Sequence, residues 1–141
     1  MAVLTGILFL IIIVAGIFIY AFLIPDNYDN AEYDNGINQF LENESIALEL
    51  YDIIKTNDSE KALIFINETG IPVWNKNLEI LDRLDNIEGL SDELLEQNKI
   101  LREYCNLRLE LYNLYVKTIA EKTDKYQDQI IELNNQLDKL F

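Results

Sequence analysis

The sequence predicts an all-α protein, in which a single N-terminal transmembrane helix precedes a small helical bundle that ends in a long C-terminal helix. Three observations support this fold class. Residues 2–24 carry no charged side chain, apolar residues in the remainder recur at three- and four-residue spacing, and neither Gly nor Pro occurs from Ser91 to Phe141. The first is typical of a membrane span, and the other two indicate amphipathic helices.

The uncharged segment, residues 2–24, is long enough to cross a bilayer once. At 1.5 Å per residue it reaches roughly 34 Å, against a hydrocarbon core about 30 Å thick. A cleavable signal peptide is the competing interpretation, because Ala15 and Gly16 form a small pair within the apolar run. A signal peptide usually has a basic start and a shorter apolar region, and neither is present. We therefore predict a retained transmembrane anchor that contacts membrane lipid.

The orientation of this anchor depends on the charges beside it. No Lys or Arg precedes Lys55, so the positive-inside rule has no basic residue to count near the segment. Asp26, Asp29, Glu32 and Asp34 follow the anchor, and such an acidic flank avoids the negative inner leaflet. This favours a body on the extracytoplasmic side, and the cytoplasmic side stays open.

The composition limits the function classes. The chain has 141 residues and a net charge of −14, which repels nucleic-acid phosphates. A single cysteine, Cys105, allows no disulfide within the chain. The length beyond the anchor suits one small domain. We predict an acidic juxtamembrane linker at residues 25–36, which is rich in turn-forming Asp and Asn, and a helical bundle domain at residues 37–141.

The first part of the body predicts helices separated by short breaks. Apolar residues between Ile37 and Lys55 lie on one helical stripe. The opposite face, with Glu42, Glu44, Glu49 and Asp52, is predicted to be acidic and solvated, and an acidic docking surface is the alternative. The segment from Thr56 to Ser59 is rich in capping residues and predicts a break.

After that break the sequence predicts a short helix that Gly70 ends, although Ala62–Ile66 also fits a buried strand. Pro72 suits the first turn of a further helix, which Gly89 follows. Trp74 lies on the apolar stripe of that helix and is interpreted as a core residue, with an exposed contact role as the alternative.

Ser91 and the two acids after it predict the start of a long helix over residues 92–140. Cys105 and Tyr112 begin a seven-residue repeat of apolar side chains along it, in which Cys105 is predicted to be a buried small hydrophobe. The last part has a single narrow stripe, typical of a coiled coil with another chain. Its predicted partner-packing seam consists of Tyr126, Ile130, Leu133, Leu137 and Leu140. A break near Lys122–Lys125 that folds the end back as a hairpin is the alternative.

The sequence contains few residues suited to catalysis or metal binding. It has no His, which excludes a Ser-His-Asp or Cys-His site within the chain and the usual Cys/His zinc sites. Its five glycines form no phosphate-binding loop. We therefore predict no catalytic residues, no cofactor-binding residues, no metal site and no enzymatic activity.

Two stretches of the later half, WNKNLEIL from Trp74 and EQNKILREYCNLRLELY from Glu96, carry a family resemblance. They resemble a helical extension on the C-terminal side of some bacterial rhomboid-type membrane proteases. The chain departs from the protease itself, because it has one spanning segment, no protease nucleophile motif and no His for the dyad. The resemblance implies a membrane-tethered helical accessory module with a cytoplasmic body.

Together these features predict a non-catalytic, single-pass membrane protein whose acidic helical body binds or scaffolds a protein partner in a membrane-associated complex. A second copy of the chain, joined through the C-terminal helix, is one such partner. The alternatives are a small-ligand sensor or binding bundle, and a small structural subunit of a large membrane complex.

Overall fold

The computed structural model describes residues 30–140, which are helical throughout apart from short connections. The α-helices are α1 (Asn30–Leu48), α2 (Leu50–Lys55), α3 (Ser59–Phe65), α4 (Ile71–Asp85), α5 (Asp92–Glu121) and α6 (Gln127–Lys139), and a π-helical turn (Ile66–Gly70) joins α3 to α4. No strand occurs in this range, so the all-α prediction is confirmed for it. None of these helices is both long and apolar enough to cross a membrane. The predicted anchor, residues 2–24, lies outside the described residues.

Helices α1, α4 and α5 form an up-down-up bundle. Asn43 on α1 bonds Asn77 on α4, and Gly36, earlier on α1, lies against Leu84, later on α4. The two helices are therefore antiparallel. Asp85 at the end of α4 bonds Asn98 near the start of α5, and Trp74 near the start of α4 meets Tyr112 further along α5, so these two helices are also antiparallel. Helix α6 packs on α5. Apolar side chains from α1 through α6 fill one continuous interior. The largest fully buried side chains include Trp74, Tyr33, Tyr104, Tyr112, Phe40, Leu50 and Ile66.

Helix α1 begins inside the segment predicted as a linker, so that prediction is wrong for residues 30–36; residues 25–29 lie outside the described range. Tyr33 and Gly36 precede Ile37 and Phe40 at the spacing of one helical face, and all four are buried. Asp34 and Asn35, two of the residues that indicated a linker, are not buried. Packing of the apolar stripe has overridden the turn preference of its polar neighbours.

The break after α2 is confirmed, as is the helical interpretation of Ala62–Ile66. Asn57 takes a left-handed conformation with φ of 57°, and the Asp58 carboxylate caps α3 by accepting from the Lys61 backbone N–H at 2.9 Å. Gly70, however, does not end the helical path, which continues through the π-helical turn into α4. A Cβ atom at Gly70 would lie 2.6 Å from Cε2 of Tyr112, so its role is to admit that ring.

The predicted starts of α4 and α5 agree with the structure. Pro72 lies in the first turn of α4. Gly89 has φ of 81° in the connection to α5, and the Ser91 hydroxyl accepts from the Leu94 backbone N–H at 3.3 Å.

The predicted continuous helix over residues 92–140 is wrong, and the hairpin alternative is correct. Lys122 takes a left-handed conformation, with φ and ψ both 50°. The Lys122 N–H donates to the Ile119 carbonyl at 3.3 Å and the Thr123 N–H to the Thr118 carbonyl at 3.2 Å. This is the bonding pattern of a Schellman motif. Gly usually occupies the left-handed position of this motif, and its replacement by Lys122 hides the break in the sequence.

Candidate functional site

Trp74 lies at the centre of the bundle and is 0 % exposed. Its ring makes edge-to-face contacts with Tyr104 at a centroid distance of 5.4 Å and with Tyr112 at 6.2 Å. This confirms the core interpretation, and the alternative of an exposed contact role is wrong. Two rings from α5 therefore meet one ring from α4 in a rigid aromatic cluster.

Three tyrosine hydroxyl groups bridge α1 and α5. Tyr33 on α1 donates to Asn98 Oδ1 at 3.0 Å. Tyr104 on α5 donates to Glu44 Oε1 at 2.5 Å, and Tyr112 donates to the Ala47 carbonyl at 2.6 Å. These pairs advance in the same direction along both helices, so α1 and α5 are parallel, and long side chains span the space between them.

Asparagine side chains link α4 to its two neighbours inside the bundle. Asn43 donates to Asn77 Oδ1 at 2.9 Å, and Asn77 in turn donates to the Phe40 carbonyl at 3.2 Å. Asn98 on α5 donates to Asp85 Oδ1 on α4 at 2.8 Å. These bonds satisfy the buried amides and fix the register of the three helices.

Arg102 holds α5 to α4 at the edge of this interior. Its two terminal nitrogens donate to Asp82 Oδ1 at 2.6 Å and to Asp85 Oδ2 at 2.7 Å. Asp85 therefore accepts from both Asn98 and Arg102, and one carboxylate joins the ion pair to the buried amides.

A buried charged group is formed by Glu44, Tyr51, Tyr104 and Arg108, here called the Glu44 cluster. Glu44 is only 5 % exposed. Arg108 donates to the Tyr51 hydroxyl at 2.5 Å, and its Cζ atom lies 5.0 Å from the Tyr104 ring centroid. Glu44 and Arg108 form no direct ion pair, and the Tyr104 side chain connects them. The Nε atom of Arg108 is buried and has no hydrogen-bond partner.

Burial controls the titration of this cluster. It raises the pKa of Glu44, although the Tyr104 hydrogen bond and the Arg108 charge act to lower it. Burial also raises the pKa of Tyr104, and the Arg108 charge opposes that rise. For Cys105 on the same helix, burial and the nearby Glu44 charge raise the thiol pKa to about 12. Cys105 is a buried small residue, as predicted from its place in the heptad repeat.

The predicted C-terminal seam packs within the chain. Ile130, Leu133 and Leu137 are buried in the interior, and Tyr126 and Leu140 pack against it in part. Because α6 folds back on α5, the helix pairing that was predicted with another chain is made here within one chain.

A shallow groove of about 300 Å³ runs between α5 and α6. Its walls are mainly acidic and amide side chains around one apolar residue: Glu110, Asp128, Gln129, Glu132, Leu133 and Gln136. Within residues 30–140, no three His, Cys, Asp or Glu side chains come together in an arrangement that could hold a metal ion.

Comparison with known proteins adds no assignment, since no protein-family model, curated protein or solved structure matches the chain.

The sequence interpretation missed Glu44, which it placed on the solvated acidic face of the first helix. Its neighbour Glu42 does lie on that face and is exposed. Spacing could have separated the two, because Glu44 follows Phe40 by four residues and precedes Ala47 by three. That position belongs to the buried stripe of α1.

Proposed function

We propose that the chain is a non-catalytic, single-pass membrane protein whose acidic helical body binds a protein partner and scaffolds it at the membrane. The transmembrane part of this proposal rests on the uncharged residues 2–24. The binding part rests on the structure of residues 30–140.

The observation that carries the binding proposal is that the buried asparagines and Glu44 are paired with groups on neighbouring helices. Asn77 on α4 bonds Asn43 and the Phe40 carbonyl on α1, and Asn98 on α5 bonds Asp85 on α4. Glu44 on α1 accepts from Tyr104 on α5. These polar groups are engaged in holding helices together, so they are not directed toward a substrate. The outer helical surface is then the part of the bundle that can act on another molecule.

The charge of that surface favours a basic partner. The chain carries 25 acidic and 11 basic side chains, and no base precedes Lys55. Glu42 and Ile46 on α1 and Glu49 in the turn after it are all exposed, so this outer surface combines negative charge with one apolar side chain. Such a surface attracts a positively charged protein over a distance of about a Debye length, roughly 8 Å at physiological salt. An anchor in the same bilayer as the partner raises the effective concentration further.

Co-purification of the full chain from its native membrane tests this proposal. We expect a protein with a basic surface to co-purify at fixed stoichiometry, and a Glu42→Lys/Glu49→Lys variant to lose it. The matched control is Glu93→Lys, an exposed acid in the first turn of α5. A wild-type chain that purifies alone, or a partner retained equally by both variants, would overturn the proposed surface.

The anchor and its orientation need a separate test. Residues 2–24 predict that the chain stays in the membrane pellet after alkaline extraction; release into the supernatant would contradict the anchor. The acidic flank favours an extracytoplasmic body. An Ala31→Cys variant should then react with a membrane-impermeant maleimide applied outside intact cells, because Ala31 is exposed. The wild-type chain is the control, since its Cys105 is buried. Labelling only after lysis would instead indicate a cytoplasmic body, as the resemblance to the helical extension of rhomboid-type proteases implies.

A further inference from the structure

The Glu44 cluster lies at the contact between two helices that otherwise touch mainly through long polar side chains. Glu44 belongs to α1, while Tyr104 and Arg108 belong to α5 and Tyr51 to α2. Close backbone packing joins α1 to α4 and α4 to α5, whereas the tyrosine bridges supply much of the direct link from α1 to α5. The charge state of Glu44 therefore acts at the place where α1 is held on α5.

We propose that Glu44 is a protonation-dependent latch, which holds α1 on α5 more firmly as the pH falls. The latch is independent of partner binding, because all its groups lie within the bundle.

The direction of the effect follows from the surroundings of Glu44. When α1 is seated, the carboxyl group is 5 % exposed and has lost most of its hydration. When α1 detaches, water solvates it again. The seated state therefore binds a proton more tightly than the detached state, and acidification stabilises the seated state. The effect begins as the pH falls through the raised pKa of Glu44 and is complete below the ordinary value of 4.5.

The groups that face Glu44 determine how strongly its protonation affects the contact between α1 and α5. From α5, the Tyr104 hydroxyl donates to it and the Arg108 charge favours its ionised form, while the Cys105 thiol stays protonated because burial raises its pKa to about 12. From α2, Tyr51 holds Arg108 in place. Helix α4 packs against the same region through Trp74 and Asn77, neither of which titrates. Glu44 is thus the group in this cluster that can change charge between neutral and mildly acidic pH.

Hydrogen exchange of the full chain in detergent micelles measures the latch. Each observed rate is divided into the intrinsic rate for that pH, so the resulting protection factor reports helix opening alone. We expect the protection factors of α1 amides to rise as the pH falls from 7.5 to 4.5. The rise should be about tenfold for each unit by which the measured pKa of Glu44 exceeds its ordinary value of 4.5. Amides in the centre of α5 should change less.

Three variants assign the effect to Glu44. In Glu44→Gln the charge is absent, so α1 protection should not depend on pH, whereas the exposed control Glu93→Gln should behave like wild type. The side-chain ¹³C signal of Glu44 in the wild-type chain supplies a readout that needs no substitution, and its midpoint should coincide with the change in α1 protection. The Tyr104→Phe variant should move this midpoint to higher pH, because it removes a bond to the ionised form.

Three results would overturn the latch. Glu44 could titrate at or below 4.5. The protection of α1, α4 and α5 could rise equally, which would reflect relief of the overall negative charge. The pH dependence could also persist unchanged in Glu44→Gln.

Discussion

The Tyr104 hydroxyl on α5 donates a 2.5 Å hydrogen bond to the Glu44 carboxylate on α1, in a part of the interior where both side chains are buried. The bond joins residues 60 positions apart in the chain. It satisfies a charged group that would otherwise lie without a donor in an apolar setting, where an unpaired charge is costly. This contact therefore links the stability of the bundle to the protonation state of one side chain.

Replacing Tyr104 with Phe should destabilise the bundle by about 1–3 kcal/mol at pH 7, because it leaves the buried Glu44 carboxylate without its hydroxyl donor. Urea denaturation followed by circular dichroism measures the change. The matched control is Tyr126→Phe, which removes an exposed tyrosine–glutamate hydrogen bond of 2.9 Å to Glu121. The control should change stability by less than about 0.5 kcal/mol. Equal effects of the two variants would contradict the buried role of Tyr104.

The cost of Tyr104→Phe should shrink as the pH falls. Burial raises the pKa of Glu44 in the folded chain above its ordinary value of 4.5. The stabilisation that comes from protonating Glu44 is therefore fully present below pH 4.5 and is lost as the pH rises through the raised pKa. At pH 4.5 a larger share of Glu44 is protonated than at pH 7, and the missing donor costs less. Denaturation curves of both chains at these two pH values provide the test; a penalty that grows on acidification would contradict a Tyr104 bond that favours ionised Glu44.

The helices could be predicted from the sequence where apolar spacing and capping residues agree. Ser91 with its following acids located the start of α5, and the residues around Asp58 located the break before α3. Prediction failed where packing with a distant residue decides the local structure. Tyr33 is buried on the stripe of α1 and bonds Asn98, which lies 65 positions away and cannot be identified from residues 30–36. The place of Glu44 on the buried stripe of α1 could be predicted from its spacing, but its partner Tyr104, 60 positions away, could not. The break at Lys122 could be predicted only as an alternative to a continuous helix, because neither Gly nor Pro marks it in the sequence.

Gly36 allows α1 and α4 to approach closely. A Cβ atom at this position would lie 2.5 Å from Cδ2 of Leu84, so Gly36→Ala should force the helices apart. Alanine has the better helix propensity by about 1 kcal/mol, and we expect the steric cost of about 1–3 kcal/mol to exceed it. Thermal unfolding of the variant checks the sign. Ser45→Ala, at an exposed position of the same helix, is the control and should be neutral or slightly stabilising. A stabilised Gly36→Ala chain would contradict the close contact with Leu84.

Lys122→Gly separates the hairpin from a straight helix by the sign of its effect. In the hairpin, Lys122 has φ of 50°, a conformation that costs an L-residue about 1–2 kcal/mol and glycine almost nothing. The variant should therefore be more stable, by about 1 kcal/mol. In a continuous helix the same change would destabilise by about 1 kcal/mol. Lys122→Ala removes the same charge without relieving the backbone, and it should give no gain in urea denaturation.

Leu133→Asp tests whether the seam of α6 packs within the chain. Leu133 is 5 % exposed and buried against α5, whereas Ile131, two residues earlier on α6, is 49 % exposed. A charge at Leu133 should therefore cost about 3 kcal/mol or more, and Ile131→Asp should change stability by less than about 0.5 kcal/mol. Because the contact is intramolecular, the loss should not depend on protein concentration. Unfolding is measured across a hundredfold range of protein concentration, and light scattering gives the molecular mass. If the seam instead joined two chains, dilution would destabilise the wild type and Leu133→Asp would lower the molecular mass.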